Sequence, residues 1–191
     1  ENEAHAEVNA IKRVNTPELL KESTLYVTME PCAHHGLTPP CSDLIIKKQI
    51  PRVIIGTVDS YPGVAGKGIE KLRKAGVKVE VGMLEKECRE LNKRFFTFHE
   101  KMRPFIILKW AQTMDGFIDI DRGEESFGEP TWITGNLALR LVHKIRSREG
   151  AIFVGTSTAE KDNPSLTLRH WSGNAPLRAV IDKNLRLSAT L

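Results

Sequence analysis

His5-Ala6-Glu7 and, further along, Pro31-Cys32-Ala33-His34-His35-Gly36-Leu37-Thr38-Pro39-Pro40-Cys41 decide how this chain is to be read. Taken together they describe one metal site. Zinc prefers thiolate and imidazole donors, and a catalytic zinc keeps three protein ligands and leaves a fourth position for water. His5, Cys32 and Cys41 supply such a set. A carboxylate two residues beyond a ligating histidine can move the water proton to a ring nitrogen and a leaving amine, which is the role expected of Glu7. Bound water drops from a pKa of about 15.7 toward ~7 in such sites. The signature of zinc deaminases of nitrogen heterocycles is His-x-Glu, then Pro-Cys-x-x-Cys. Here eight residues separate the cysteines instead of two, in a turn-forming spacer that can bring both sulfurs back to one metal. A single His-x-Glu is usually a helix surface, and a single cysteine a small core residue. It is their conjunction that points to chemistry.

Outward from the site, strand and helix alternate. Residues 5–14 predict a helix, broken at Asn15-Thr16-Pro17, and Thr24–Met29 alternates like a strand that ends at Glu30-Pro31. Gly36, Pro39 and Pro40 exclude regular structure between the cysteines, and Cys41 opens a helix to about Gln49. Cys41 at a helix start would have its thiolate favoured by the helix dipole. Val53–Val58 reads as a buried parallel strand, Gly66–Ala75 as a helix closed by Gly76, Val77–Val81 as a strand, and Glu85–His99 as one long amphipathic helix. This layout predicts a three-layer α/β sandwich. After a linker near Lys101–Pro104 the pattern restarts: an apolar strand over Phe105–Ala111, a turn at Met114-Asp115-Gly116, and an acidic loop over Arg122–Pro130. A helix to about Arg148 and strands at Ala151–Val154 and Leu177–Asp182 follow. Two domains are therefore expected, 1–100 and 104–191.

Composition narrows the class. Hydrophobic residues make up 40% and charged residues 27% of 191 residues, as in an ordinary globular protein. No apolar run approaches the ~18 residues that span a bilayer. Three cysteines cannot all pair, which disfavours a disulfide scaffold and fits a reducing cytoplasm. A net charge of +4 suits an anionic small molecule and is weak for nucleic acid. The chain has no initiator Met and no signal-peptide pattern, and both its ends are abrupt, which suggests a fragment.

The eight-residue spacer ending in Thr38-Pro39-Pro40-Cys41 resembles that of the bifunctional deaminase–reductase family of riboflavin biosynthesis. Asp59-Ser60-Tyr61-Pro62-Gly63-Val64-Ala65-Gly66-Lys67-Gly68 is similar to that family's glycine-containing loop. In the second half, Leu108-Lys109-Trp110-Ala111-Gln112-Thr113-Met114-Asp115-Gly116, Trp132-Ile133-Thr134-Gly135 and Gly155-Thr156-Ser157-Thr158-Ala159 resemble its reductase. So does Asp162-Asn163-Pro164-Ser165-Leu166-Thr167-Leu168-Arg169. The resemblance implies a cytidine-deaminase-like sandwich followed by a partial dihydrofolate-reductase-like α/β domain. Its cofactors would be Zn2+ and NADPH, and its substrate a phosphoribosylaminopyrimidine. By motif match, Ala111, Trp132, Thr158 and Asp162 would contact NADPH. Arg146, Leu166 and Arg169 would hold the phosphoribosyl substrate, arginine being suited to a bidentate grip on phosphate. Lys109, the one basic residue in an apolar strand, is expected to face the carbon that receives hydride. Asp115 is read first as a turn residue. His34 and His35 are expected to shape the pocket, and Cys88 to be a buried thiol away from the site.

The sequence departs from the family in places. Leu37 stands where a basic residue is usual, and the loop 122–130 is longer and more acidic than the usual element. The resemblance also implies a helix and two strands before His5 and a glycine-rich segment after Leu191, none of which this sequence contains. The alternatives are a nucleic-acid deaminase with an unrelated second domain, and a non-catalytic zinc module. The first would need a basic, aromatic surface, whereas aromatics are only 6%. A homo-oligomer is expected, with no nucleic-acid or membrane partner.

Overall fold

A computed structural model describes residues 4–36, 39–121 and 130–188. The chain divides into two units, the first ending at Ile107 and the second beginning at Leu108.

The first unit is built on a three-stranded parallel sheet of order β1-β2-β3, with β1 Thr24–Met29, β2 Arg52–Thr57 and β3 Lys78–Val81. Tyr26 pairs with Ile54 and Ile54 with Glu80, which makes β2 the central strand. Being covered on both sides, β2 is buried from Val53 to Thr57 and reads as a continuous apolar run. Its alternation assigns the faces. Val53 and Ile55 join Ile11, Leu20, Ile45, Ile69 and Leu72 in one core. These come from α1 (Ala6–Lys12), the 3-10 turn Pro17–Glu22, α2 (Cys41–Lys47) and α3 (Lys67–Lys74). On the opposite face, a side chain at Gly56 would come within 2.2 Å of Cys88 Sγ, so α4 (Glu85–Leu91) lies directly on the strand backbone. The half-buried Cys88 packs there, away from the other two cysteines. Helices on both faces of a parallel sheet make the three layers expected from the sequence.

Two expectations need correction. The helix expected over Glu85–His99 is two, α4 and α5 (Lys93–Lys101), broken at Asn92. The Asn92 amide donates to the Cys88 carbonyl at 2.9 Å, a local side-chain bond that competes with helix continuation. Phe105–Ala111 is not a strand. No described strand pairs with it, and without a ladder partner a β-forming sequence has nothing to hold it in a sheet.

The second unit contains α6 (Asn136–Arg146), β4 (Ala151–Gly155), α7 (Thr156–Asp162) and β5 (Leu177–Ile181). β4 and β5 pair in parallel, Ala151 opposite Leu177 and Gly155 opposite Ile181. The turn at Met114–Gly116 forms as expected: Gly116 has φ +92°, and Thr113 N–H donates to the Phe117 carbonyl at 2.8 Å. Asp115 accepts from the Thr113 hydroxyl at 2.5 Å, a turn role. No described helix is long and apolar enough to cross a membrane.

Candidate metal centre and active site

Each ligand is positioned by the end of an element. His5 is the residue before α1, Cys32 follows β1 after Glu30-Pro31, and Cys41 is the first residue of α2, preceded by Pro40. Proline at a helix start sacrifices no hydrogen bond, because the first amides have no partner within the helix. One of those amides is used directly: Cys41 N–H donates to Cys32 Sγ at 3.2 Å, and Ser42 N–H to the Cys32 carbonyl at 3.1 Å. The loop between the cysteines is thus closed by Cys32 itself.

His5 Nδ1 lies 3.6 Å from Cys32 Sγ and 3.3 Å from Cys41 Sγ, and the three donor atoms all fall within 4.8 Å of one another. Two thiolates and an imidazole converging on one point fit a tetrahedral zinc site with one position left over. Among the described residues this is the one group of three or more His, Cys, Asp or Glu side chains so converged. The Cys32 thiol is held down to about 5, chiefly by the hydrogen bond from Cys41, with the Cys41 amide and His5 adding to it against burial. Cys41 moves the opposite way, pushed up by that same bond, by burial and by the charge of Glu7. The pair therefore shares one proton, which a metal would displace. Glu7, in the first turn of α1, is near enough to Cys41 for its charge to help push that thiol up.

One residue of the site was missed from the sequence. Glu30, 4% exposed, receives four backbone N–H groups. Its Oε2 accepts from Asp59 (3.3 Å) and Gly66 (2.9 Å), and its Oε1 from Gly68 (2.8 Å) and Ile69 (3.1 Å). It caps α3 from a distance and fastens the loop 59–68 to the strand end that delivers Cys32. The loop's glycines follow from this: Gly66 has φ +77°, and a Cβ at Gly68 would sit 2.0 Å from the Pro31 carbonyl oxygen. An acidic residue closing an apolar strand was the signal available. Asp59, 8% exposed, accepts from Tyr61 N–H at 2.7 Å. Its pKa is raised, mainly by burial and then by Glu30, against the pull of the Tyr61 amide, His99 and His34.

Ala33 and His34, which follow Cys32 in the loop, line an open cavity of about 430 Å³ with Gly63, Lys67, Glu70, Lys71 and Lys74. His34 and His35 are both exposed. Leu37 and the loop 122–129 lie outside the described residues.

The candidate residues of the second unit fall into three places. Lys109 and Trp132 are exposed and Ala111 half-buried, all on segments without regular structure. Thr158 and Asp162 are one helical turn apart on α7, which starts at the carboxyl end of β4, where open α/β sheets bind ligands. Arg146, bonded to the Thr167 carbonyl, and Arg169, bonded through its amide to His143, meet where α6 faces the segment 163–169, with Leu166 (φ +51°) on that segment. Arg146 is pulled below the usual guanidinium range by burial and by Arg169.

With this geometry in view, residues 1–57 match the family model of the cytidine and deoxycytidylate deaminase zinc-binding region, and residues 104–191 that of the RibD C-terminal domain. The chain is a RibD-like protein. It is 45% identical over 184 residues to the riboflavin biosynthesis protein RibD of Aquifex aeolicus, covering 96% of this chain and 50% of that protein. With RibD of Escherichia coli it shares 37% over 200 residues, covering 97% and 52%. The crystal structure of a diaminohydroxyphosphoribosylaminopyrimidine deaminase/5-amino-6-(5-phosphoribosylamino)uracil reductase from Thermotoga maritima superposes with a TM-score of 0.86. It is 41% identical, and the match covers all of this chain and 53% of that one. RibD of Acinetobacter baumannii superposes at 0.86 with 35% identity, covering 98% and 52%. The RibD-like chain thus spans about half the length of the relatives it matches. The zinc-binding model implies Zn2+ for the first unit, and the RibD C-terminal model implies NADPH for the second.

Proposed function

We propose that the first unit deaminates a diaminopyrimidinone carrying a phosphoribosylamino group, and that the second takes part in reducing the ribosyl side chain to ribityl, two steps of riboflavin biosynthesis. The convergence of His5, Cys32 and Cys41 with Glu7 against Cys41 carries the first half of this reading. Zinc held by those three side chains would supply a Lewis acid and an acidified water. Glu7 takes the proton from the water that adds at the amino-bearing ring carbon. It returns protons to the ring nitrogen and to the departing amine, so that one water enters and one ammonia leaves. The lysine-lined cavity beside His34 suits a substrate that ends in phosphate.

In the second unit, NADPH would supply the hydride, with Thr158 and Asp162 on one face of α7 and with Ala111 and Trp132 as its contacts. Arg146 and Arg169 grip the phosphate, Leu166 lies against the ribosyl chain, and Lys109 polarises the oxygen at the carbon that receives hydride. We assign domains 1–100 and 104–191 to the two steps. The protein is read as a cytoplasmic homo-oligomer that acts on a small molecule, with no nucleic-acid or membrane partner.

The test incubates the protein with the diaminopyrimidine phosphate, zinc and NADPH, withholding each cofactor in turn and weighing the products. Ammonia release should vanish with Glu7→Ala and survive Lys109→Met. Turnover of tRNA or single-stranded DNA in place of the pyrimidine would instead favour a nucleic-acid deaminase.

A further inference from the structure

We infer that His143 is a positioning residue. Its neutral imidazole fixes the backbone at Arg169, and through it the arginine pair that receives the substrate's phosphate. This inference rests on the reading of Arg146 and Arg169 as that pair.

The segment 163–169 has no regular structure and passes through two left-handed residues, Asn163 (φ +37°) and Leu166 (φ +51°). Its shape therefore has to come from bonds to its neighbours. β5 gives one, Arg178 Nη1 donating to the Ser165 carbonyl at 3.1 Å. α6 gives two from one face, three residues apart: Arg146 Nη1 donates to the Thr167 carbonyl at 2.5 Å, and His143 Nδ1 accepts from Arg169 N–H at 3.1 Å. His143 is 1% exposed, deep for a titratable side chain near the end of an amphipathic helix.

An imidazole nitrogen that accepts a hydrogen bond carries no proton, so the proton of neutral His143 is on Nε2. The groups around it agree. Burial, then Arg146, His170 and Arg169, hold its pKa below the usual histidine value. The His170 ring meets it edge-on at 4.8 Å and 86°. A charged or absent imidazole would release the Arg169 amide, and with it the anchor of a side chain that, among the described residues, bonds within its own loop, to Ser165 Oγ. Arg146 Nε is buried without a partner among the described residues, which leaves the guanidinium held from one side only. His143 thus separates two tasks, Arg146 and Arg169 meeting the anion while His143 sets where they stand.

The experiment compares the parent chain with His143→Gln, whose amide oxygen can accept from the Arg169 N–H, and with His143→Leu, which cannot. The probe is D-ribose 5-phosphate, with D-ribose as control, followed by backbone amide shifts; imidazole nitrogen spectra report the tautomer. Expected are an unprotonated Nδ1, slow Arg169 amide exchange in the parent and the Gln variant, and about tenfold weaker phosphate-dependent binding and fast exchange in the Leu variant. Where substrate turns over, KM should carry the loss and kcat should not. A protonated Nδ1, or His143→Leu with parental Arg169 protection, overturns the inference. Failure of the parent to prefer the phosphate ester refutes the substrate reading instead, and the Arg169 exchange still decides the role of His143.

Discussion

Replacing Glu30 by glutamine should loosen the metal loop without touching a metal ligand. The carboxylate takes two backbone N–H groups on each oxygen. A glutamine amide keeps one acceptor oxygen and turns an NH2 toward the other two donors. Two bonds to a charged acceptor are lost at about 1.5–3 kcal/mol each, and the two that remain become neutral and weaker. Against this stands the relief of burying a charge. The balance is a loss of roughly 3–5 kcal/mol, large for one substitution. For a unit of this size each kcal/mol moves Tm by about 4–8 °C, so a fall of at least ~12 °C is expected. Thermal unfolding with saturating zinc measures it, and amide exchange at Gly66, Gly68 and Ile69 should quicken. A variant that melts within about 4 °C of the parent, with those amides still protected, would show that Glu30 does not hold the loop.

The remaining expectations are shorter. Glu7→Gln should keep its zinc, by elemental analysis, and release ammonia at least about 100-fold more slowly. Gly68→Ala places a Cβ against the Pro31 carbonyl and should cost about 2 kcal/mol or more, with faster loss of zinc to a chelator, because Pro31 leads into Cys32. Burial raises the Asp59 pKa, so the folded chain binds that proton more tightly than the unfolded chain and loses stability as pH rises through the raised value. Asp59→Asn should therefore melt higher than the parent at pH 7, and the gain should vanish near pH 3, below both the folded and the unfolded pKa.

The sequence reached far into the first unit because its signals are local there. The continuous apolar run at Val53–Val58, the proline before each ligating cysteine and His5 at a helix start all act over a few residues. Glu30 was out of reach because its partners lie 29 to 39 residues further along the chain, and its place at the end of an apolar strand does not say that four amides will converge on it. The break at Asn92 turned on one side chain that prefers the Cys88 carbonyl. Phe105–Ala111 has the composition of a strand, but a strand is a property of two segments and no second one is described. The burial of His143 and its bond to Arg169 exist only once α6 is laid against the segment 163–169.

The closure of the cysteine loop has a consequence for how such a site can change over time. Both ends of the stretch from Cys32 to Cys41 are tied to Cys32, by the Cys41 and Ser42 amides, before any metal is considered. The residues between can be exchanged or lengthened while the two sulfurs keep their places. The positions of the two sulfurs and the identity of the residues between them are therefore free to change separately.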